Sequence, residues 1–459
     1  MISKLVWSDT FEKGNPFGGI DGFRPLRITF HSNSLANTIE NNEQAALDIL
    51  LGLAKLDNID AMSFDGSISP QILINFDKAQ KDSIGITVIN AEGNPIGFSG
   101  VSTSYLEPNY IAYLLGVYSS SKEENYKSIR QEILEVKSHG ALRRDIFITT
   151  SPFLLSKRDK LRELNIYTPS DALKIVGLYL RVNGEFEWIS HIESNVRFIT
   201  TMDTFYEFLS RGLLPKSWKY ISGLGLHNAR EKLLSLGWSV LNRYSRVLQA
   251  RDELGRLYYM PANSSTKDKM MYHFDYLTLL LTAAFDTQAL IINTVYNLGL
   301  KDQECGFRRE RFKTVIRQQT ITSNLANLLS AKSDFINILF DLRNKIHSVS
   351  METNFHVPDS YPDELLERIC QYDQYNHWGI QKQNVNVIIN RGNPTPSINY
   401  SVDIYHLAHG LISESTNLIN SIMEETQIET FLDTGVLSKI MTSPPDDMLP
   451  YIQAYLLLA

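Results

Sequence analysis

Cysteine is nearly absent from this sequence: Cys305 and Cys370 are the only two, and no CxxC pair exists. That excludes a zinc ribbon and argues against a disulfide framework, so a reducing compartment, the cytoplasm, is the expected location. Positive charge is also in short supply. The 459 residues carry 44 Lys and Arg against 51 Asp and Glu, a net charge of −7. Indiscriminate coating of nucleic acid is excluded by that balance, whereas a local basic groove is not. Long uninterrupted apolar runs are missing too. The most apolar stretch, 274–300, is broken by Asp286, Gln288, Asn293 and Asn297, so it reads as a buried core helix and not as a membrane span. The first residues hold only a short apolar patch before charge, unlike a signal peptide.

The familiar nucleotide and hydrolase signatures are lacking as well. There is no GxxxxGK[ST] and no HExxH; GFSGV at 97–101 misses GxSxG, and GLGLHN at 223–228 ends in Asn228 where GxGxxG requires glycine. Folds built on these motifs usually display them. His406 and His409 are spaced for one face of a helix but lack a visible third ligand, so no metal and no cofactor is expected.

What is present falls into a mixed first half and a helical second half. RPLRITFHS, QILINFD and RDIFITTSP have strand length and β-branched content, and IGITVINAEGNPIGFSGVSTSY reads as two strands around a Gly-Asn-Pro turn. EQAALDILLGLAKL has helical periodicity, and KEENYKSIRQEILEVKS reads as a solvated helix. Thr168 followed by Pro169 is a helix start, with a side-chain oxygen at the N-cap and a preset φ behind it. Helices are expected over 268–299, 308–329, 332–350 and 403–425. Between the last two, VNVIINRGNPTPSINYSV is two alternating runs around Gly392-Asn393-Pro394, a hairpin inserted into a bundle. The fold class is therefore α+β. Four segments are expected: a mixed α/β sensing or docking domain over 1–150, a mostly helical connecting region over 151–265, a helical bundle over 266–430 and a tail over 431–459.

One short stretch, FDLRNKIHSVSMETN at 340–354, gathers chemistry. On a helix Arg343 and His347 are four residues apart and share a face. A guanidinium offers a planar fork of donors that suits phosphate oxygens, and an imidazole can give or take a proton near neutrality. Asn344 can orient a hydroxyl or the imidazole. Such a set is a minimal kit for metal-free RNA cleavage. The competing account is an ordinary wet helix face, with Arg and His near its C-terminal end favoured by the dipole. Arg27 and His31 have the same spacing, but in a strand-like run where the two side chains stand too far apart to cooperate. Asp286, amid apolar neighbours, needs a partner if buried, and could set the state of His347 or pair with Arg343. Arg309, Lys313 and Arg317 recur every four residues as a basic stripe able to track an RNA backbone, or to be a solvated face.

LRNKIHS and the long apolar helix before it resemble the HEPN (higher eukaryotes and prokaryotes nucleotide-binding) family, in which an Arg, often followed by Asn, precedes a His on the third helix of an up-and-down bundle. The family's usual signature sets Arg and His further apart; here only Asn344, Lys345 and Ile346 stand between them. The resemblance covers under half the chain. It implies an all-α HEPN-like bundle in the C-terminal part, and a metal-independent endoribonuclease acting as a bacterial toxin or antiviral-defence effector. RNA would be its substrate, and a second copy of the chain would pair through the bundle; no membrane partner is implied. The alternative is a non-catalytic HEPN-like nucleotide-binding or protein-interaction module.

Overall fold

The computed structural model describes residues 16–17, 24–35, 41–64, 68, 70–80, 82–115, 123–189, 197–261, 263–348, 363–373, 377–387, 395–432 and 435–443. The chain forms two compact units. One comprises Asp9–Ile199 with Tyr259–Pro261, and the other is built mainly from Thr200–Tyr258 and Ala262–Leu456. The expected boundaries at 150 and 265 are thus replaced. Residues 151–199 belong with the sheet and Thr200–Tyr258 with the helices.

In the sheet unit the elements run β1 (Leu26–Phe30), α1 (Ser32–Leu35), α2 (Asn41–Leu53), β2 (Ile59–Ser63), β3 (Gln71–Gln80), β4 (Ser83–Ile89), β5 (Pro95–Ser102), α3 (Pro108–Leu115), α4 (Glu123–Ala141), β6 (Ile146–Ile148), α5 (Pro152–Ser156), β7 (Ile166–Tyr167) and α6 (Pro169–Val182). A small antiparallel pair follows, β8 (Glu187–Ile189) with β9 (Arg197–Ile199). Seven strands form one mixed sheet in the order β5-β4-β3-β2-β1-β6-β7. β1 pairs in parallel with both β2 and β6, and β3, β4 and β5 form an antiparallel meander. Successive strand residues point to opposite faces. Ile146 and Ile148 accordingly join Leu26, Ile28 and Phe30 in one core with α2 and α6, while Phe147 joins Ile72, Ile84 and Ile86 in a second with α4. The sheet is covered on both faces, and β6 (Ile146, Phe147, Ile148) is accordingly apolar and buried throughout. The α6 start is as its sequence predicts: Thr168 Oγ1 accepts the amide of Asp171 at 3.3 Å, with Pro169 behind it.

α4 is not the solvated helix expected from its charges. Ile133, Leu134, Glu135, Val136, Lys137, Ser138 and His139 are all buried. Ser128 and Arg130 remain exposed, but from Glu135 onward its polar residues face other polar groups inside the unit.

The helical unit runs α7 (Met202–Leu213), α8 (Ser217–Leu226), α9 (Arg230–Tyr258), α10 (Ser264–Val295), α11 (Glu310–Gln318), α12 (Ser323–Ala331), α13 (Ser333–Ser348), α14 (Asp363–Tyr372), β10 (Ile380–Val387), β11 (Thr395–Val402) and α15 (Ile404–Glu425). β10 and β11 are the expected antiparallel pair. α10 is the hub, packed by α9, α13 and α15. It is long and apolar enough to cross a membrane, yet 67% of its most apolar window is buried inside the unit, as a core helix requires. The single helix expected over 308–329 is two. Thr320, Ile321 and Thr322 are β-branched and form a 3-10 turn, and Thr322 Oγ1 donates to Gln319 O at 3.1 Å. The Arg-Asn-His stretch therefore lies on the fourth helix counted from α10.

Trp378 locks α13, α14 and α15 together. Its ring lies 6.3 Å from Phe335 and 5.4 Å from Tyr372, and Gly410 of α15 passes beneath it, where a Cβ would stand 2.5 Å from the indole. Gly410→Ala gains about 1 kcal/mol of helix propensity. It must also displace a rigid ring held on two other sides, at about 1–3 kcal/mol of overpacking. The substitution is expected to lower the unfolding midpoint in denaturant; an equal or higher midpoint refutes this packing account.

Candidate functional site

α13 buries Phe335, Ile336, Ile338, Leu339 and Leu342. This apolar stripe turns Arg343 to a half-buried position and Asn344 into solvent. His347 lies in the last turn of the helix, and its side chain is outside the described residues. Across the α10–α13 contact stands Asp286, half-buried among Phe285, Thr287 and Gln288. Burial pushes its carboxyl pKa up, and three guanidinium groups oppose that push, Arg343 first, then Arg309, then Arg243. Each comes from a different element. Arg309 precedes α11 and packs its stem 3.3 Å from the Cβ position of Gly306, with Asp286 Oδ1 3.8 Å from the same point. Arg243 projects from α9 and donates to Thr287 Oγ1, the neighbour of Asp286, at 2.6 Å. A second carboxylate, Asp341 on α13, accepts from Arg308 at 2.8 Å and from Arg368 of α14 at 2.7 Å.

Of the sequence-predicted residues, Arg343, Asp286 and Arg309 therefore share one electrostatic centre. Lys313 and Arg317 do not join it. Lys313 lies 2.9 Å from Glu310, and both Lys313 and Arg317 act on that exposed carboxylate. The stripe is not an unbroken run of open cations, because Lys313 is matched on its own helix. Arg311 and Arg308 are matched too, by Glu304 and Asp341.

His406 and His409 do not form a metal pair. His406 Nδ1 is 2.9 Å from Asp403 Oδ2. Burial, with Arg251 beside it, drives His409 down to about 3, so its ring is neutral. Among the described residues, no group of His, Cys, Asp and Glu could hold a metal ion.

The sequence reading missed a buried polar network in the sheet unit. His31 follows β1, and its Nδ1 lies 2.7 Å from Thr149 Oγ1, which follows β6. Its Nε2 stands 2.7 Å from Glu135 Oε2 of α4, off the line of a hydrogen bond. Ser34 Oγ lies 3.0 Å from Thr149 Oγ1 and accepts the amide of Thr150 at 3.1 Å. Ser151 donates to Glu132. One turn on, His139 Nδ1 meets Thr29 Oγ1 at 3.1 Å, and burial lowers its pKa to about 3. The order hydroxyl, imidazole, carboxylate resembles a nucleophile triad. Thr149 is fully buried, however, and also accepts the amide of Ser151 at 3.0 Å, so its oxygen is saturated and closed to substrate. The network fastens α4 to the carboxyl ends of β1 and β6. Polar residues directly after two strands are its only sequence trace, and pairing of those strands is not a local property.

Asp286 gives the candidate site a measurable pH signature. Its folded pKa lies above the unfolded one, so the native state carries a penalty that appears as pH rises through the folded pKa and is absent below the unfolded pKa. Removing the leading opposing charge deepens that penalty. Arg343→Ala is expected to lose about 1 kcal/mol at pH 7.5, with the deficit against the unsubstituted chain shrinking as pH falls into the ordinary carboxylate range. A pH-independent deficit, read from denaturation midpoints across that range, contradicts the coupling. No family model, curated protein or solved structure matches this chain.

Proposed function

We propose that the protein is a metal-independent endoribonuclease of HEPN type, located in the cytoplasm and acting as a bacterial toxin or antiviral-defence effector, and that the helical unit carries its active site. The observation that supports the reading best is the charge imbalance around Asp286. Three guanidinium groups act on one half-buried carboxyl whose own charge burial disfavours. Such a centre has positive potential to spare for a phosphodiester.

In this mechanism the ribose 2′-hydroxyl attacks the adjacent phosphorus, and the 5′-oxygen leaves. His347 takes the hydroxyl proton and returns a proton to the leaving oxygen, yielding a 2′,3′-cyclic phosphate and a 5′-hydroxyl. Arg343 stabilises the charge that grows on the phosphorane oxygens, where a guanidinium fork outperforms an ammonium. Asn344, exposed beside it, orients the 2′-hydroxyl. Asp286 touches no substrate in this scheme; it positions Arg343. A single Arg-His face surrounds only part of a phosphate, and a two-fold dimer through the bundle would present the same face twice. The sheet unit then senses or docks.

Full-length protein is expected to cut total RNA with chelator present, and His347→Ala to abolish cleavage with the melting temperature nearly unchanged. Arg343→Lys, which keeps the charge and loses the fork, should retain a small fraction of the activity. Intact RNA after incubation with the unsubstituted chain favours the non-catalytic binding module instead. Light scattering should give the mass of two chains; a fully active monomer removes the dimer from the scheme.

A further inference from the structure

The sheet unit carries a row of aromatic rings closed by two lysines. Tyr105 lies in the 3-10 turn Thr103–Leu106, and Tyr110 and Tyr113 lie on α3. Tyr105 and Tyr110 meet edge to face with centroids 5.2 Å apart, and Tyr110 and Tyr113 follow at 6.3 Å and 39°. Lys137 Nζ stands 4.4 Å above the Tyr105 ring, and Lys160 Nζ 4.7 Å above the Tyr113 ring. The first two rings are partly buried against the core beneath them. Tyr113 is 60% exposed.

The lysines hold the row in place. Lys160 Nζ donates to the carbonyls of Tyr113 and Leu114, capping the end of α3 while sitting over the Tyr113 ring. Lys137 is buried and its charge is met by Glu163 at 3.2 Å. Lys160 thus touches the row directly and Glu163 reaches it through Lys137, with Arg162 between them in sequence. The segment 157–163 carries Lys157, Arg158, Lys160 and Arg162 against Asp159 and Glu163. Lys157 and Arg162 make no ion pair among the described residues. An exposed ring held by Lys160, on a unit whose 157–163 segment carries cations without ion pairs, offers the two features that bind a single strand: a flat surface for a base and charge for a phosphate.

We propose that Tyr113, held by Tyr110 and Lys160, is a stacking platform for single-stranded RNA, with Arg162 and Lys157 of the adjoining 157–163 segment supplying charge to the strand. This rests on the ribonuclease reading and sharpens it, because it names an unpaired strand as the form of RNA the protein takes up. A duplex keeps its bases stacked on one another and offers Tyr113 none.

Fluorescence anisotropy of a fluorescein-labelled oligouridylate tests this, using full-length chain carrying His347→Ala so that the probe stays intact. Tyr113→Ala is expected to weaken binding by about 5- to 150-fold, the usual worth of one stacked base, and Tyr113→Phe to leave it within about twofold. Arg162→Ala should flatten the salt dependence by roughly one phosphate contact. A duplex of the same length should bind no differently to the Tyr113→Ala chain. Unchanged affinity on Tyr113→Ala overturns the platform, as does a chain that binds no oligouridylate at all. Cleavage of total RNA by the His347 chain is read in parallel. Tyr113-dependent binding without cleavage overturns the ribonuclease and spares the platform, whereas cleavage with Tyr113-independent binding does the reverse.

Discussion

A carboxylate in the middle of an apolar helix must be given counter-charge, and the helical unit is arranged around that requirement. Asp286 sits on α10, the helix that α9, α13 and α15 all pack against. The carboxyl cannot leave the interface without unpacking the hub. Its neighbours instead bring guanidinium groups to it from three directions: Arg343 from α13, Arg309 from the start of α11 and Arg243 from α9. The helices are held by apolar area, which has no directional preference, while Asp286 is the point toward which three of their guanidinium groups direct charge.

The sheet unit solves a similar problem in the opposite way. Glu135 and His31 are both nearly inaccessible and face one another at 2.7 Å. Surrounding hydroxyls absorb most of what remains, with Thr149 satisfied by three separate groups. Carboxylate and imidazole face one another deep in the core, where no ligand reaches them. Around Asp286 the cations outnumber the carboxyl, and Arg343 keeps part of its surface in water. A closed buried network fixes structure, whereas an over-supplied and partly open one can still act on something else. That contrast, and not the presence of His beside Arg, separates the two clusters.

Local patterns in the sequence were readable where one segment determines its own conformation. The β4–β5 pair around Gly93-Asn94-Pro95, the Thr168 cap of α6 and the length of α10 all follow from neighbouring residues. The errors came where distant segments decide. α4 looks solvated because Glu135, Lys137 and His139 punctuate it, yet partners 26 to 110 residues away bury them. The 308–329 helix breaks because three β-branched residues meet a turn that a period count overlooks. The unit boundary falls at Ile199/Thr200 and not at 150, since β7 and α6 complete a sheet that began at Leu26. The need of a buried carboxyl for a partner makes Arg343 one candidate for Asp286 and His347 another, and the α10–α13 contact brings the helix of Arg343 against that of Asp286. Arg243 reads from sequence as one of several arginines suited to ion pairs between helices, and its action on Asp286 depends on the packing of α9 on α10.

Net charge is a poor guide to whether such a protein can meet RNA. A chain of −7 repels a polyanion at long range. At physiological ionic strength, however, fields decay over about 8 Å, so a phosphate close to the surface responds to the few groups beside it. Near Asp286 those groups are three guanidinium ions and one carboxyl whose charge burial disfavours. Along 157–163 they are four cations and two carboxylates. The acidic remainder sets a different property: it slows encounter and suppresses adsorption to nucleic acid in general. If the helical unit cuts RNA, this division favours a strand that can reach close range by stacking over one attracted only by distant charge.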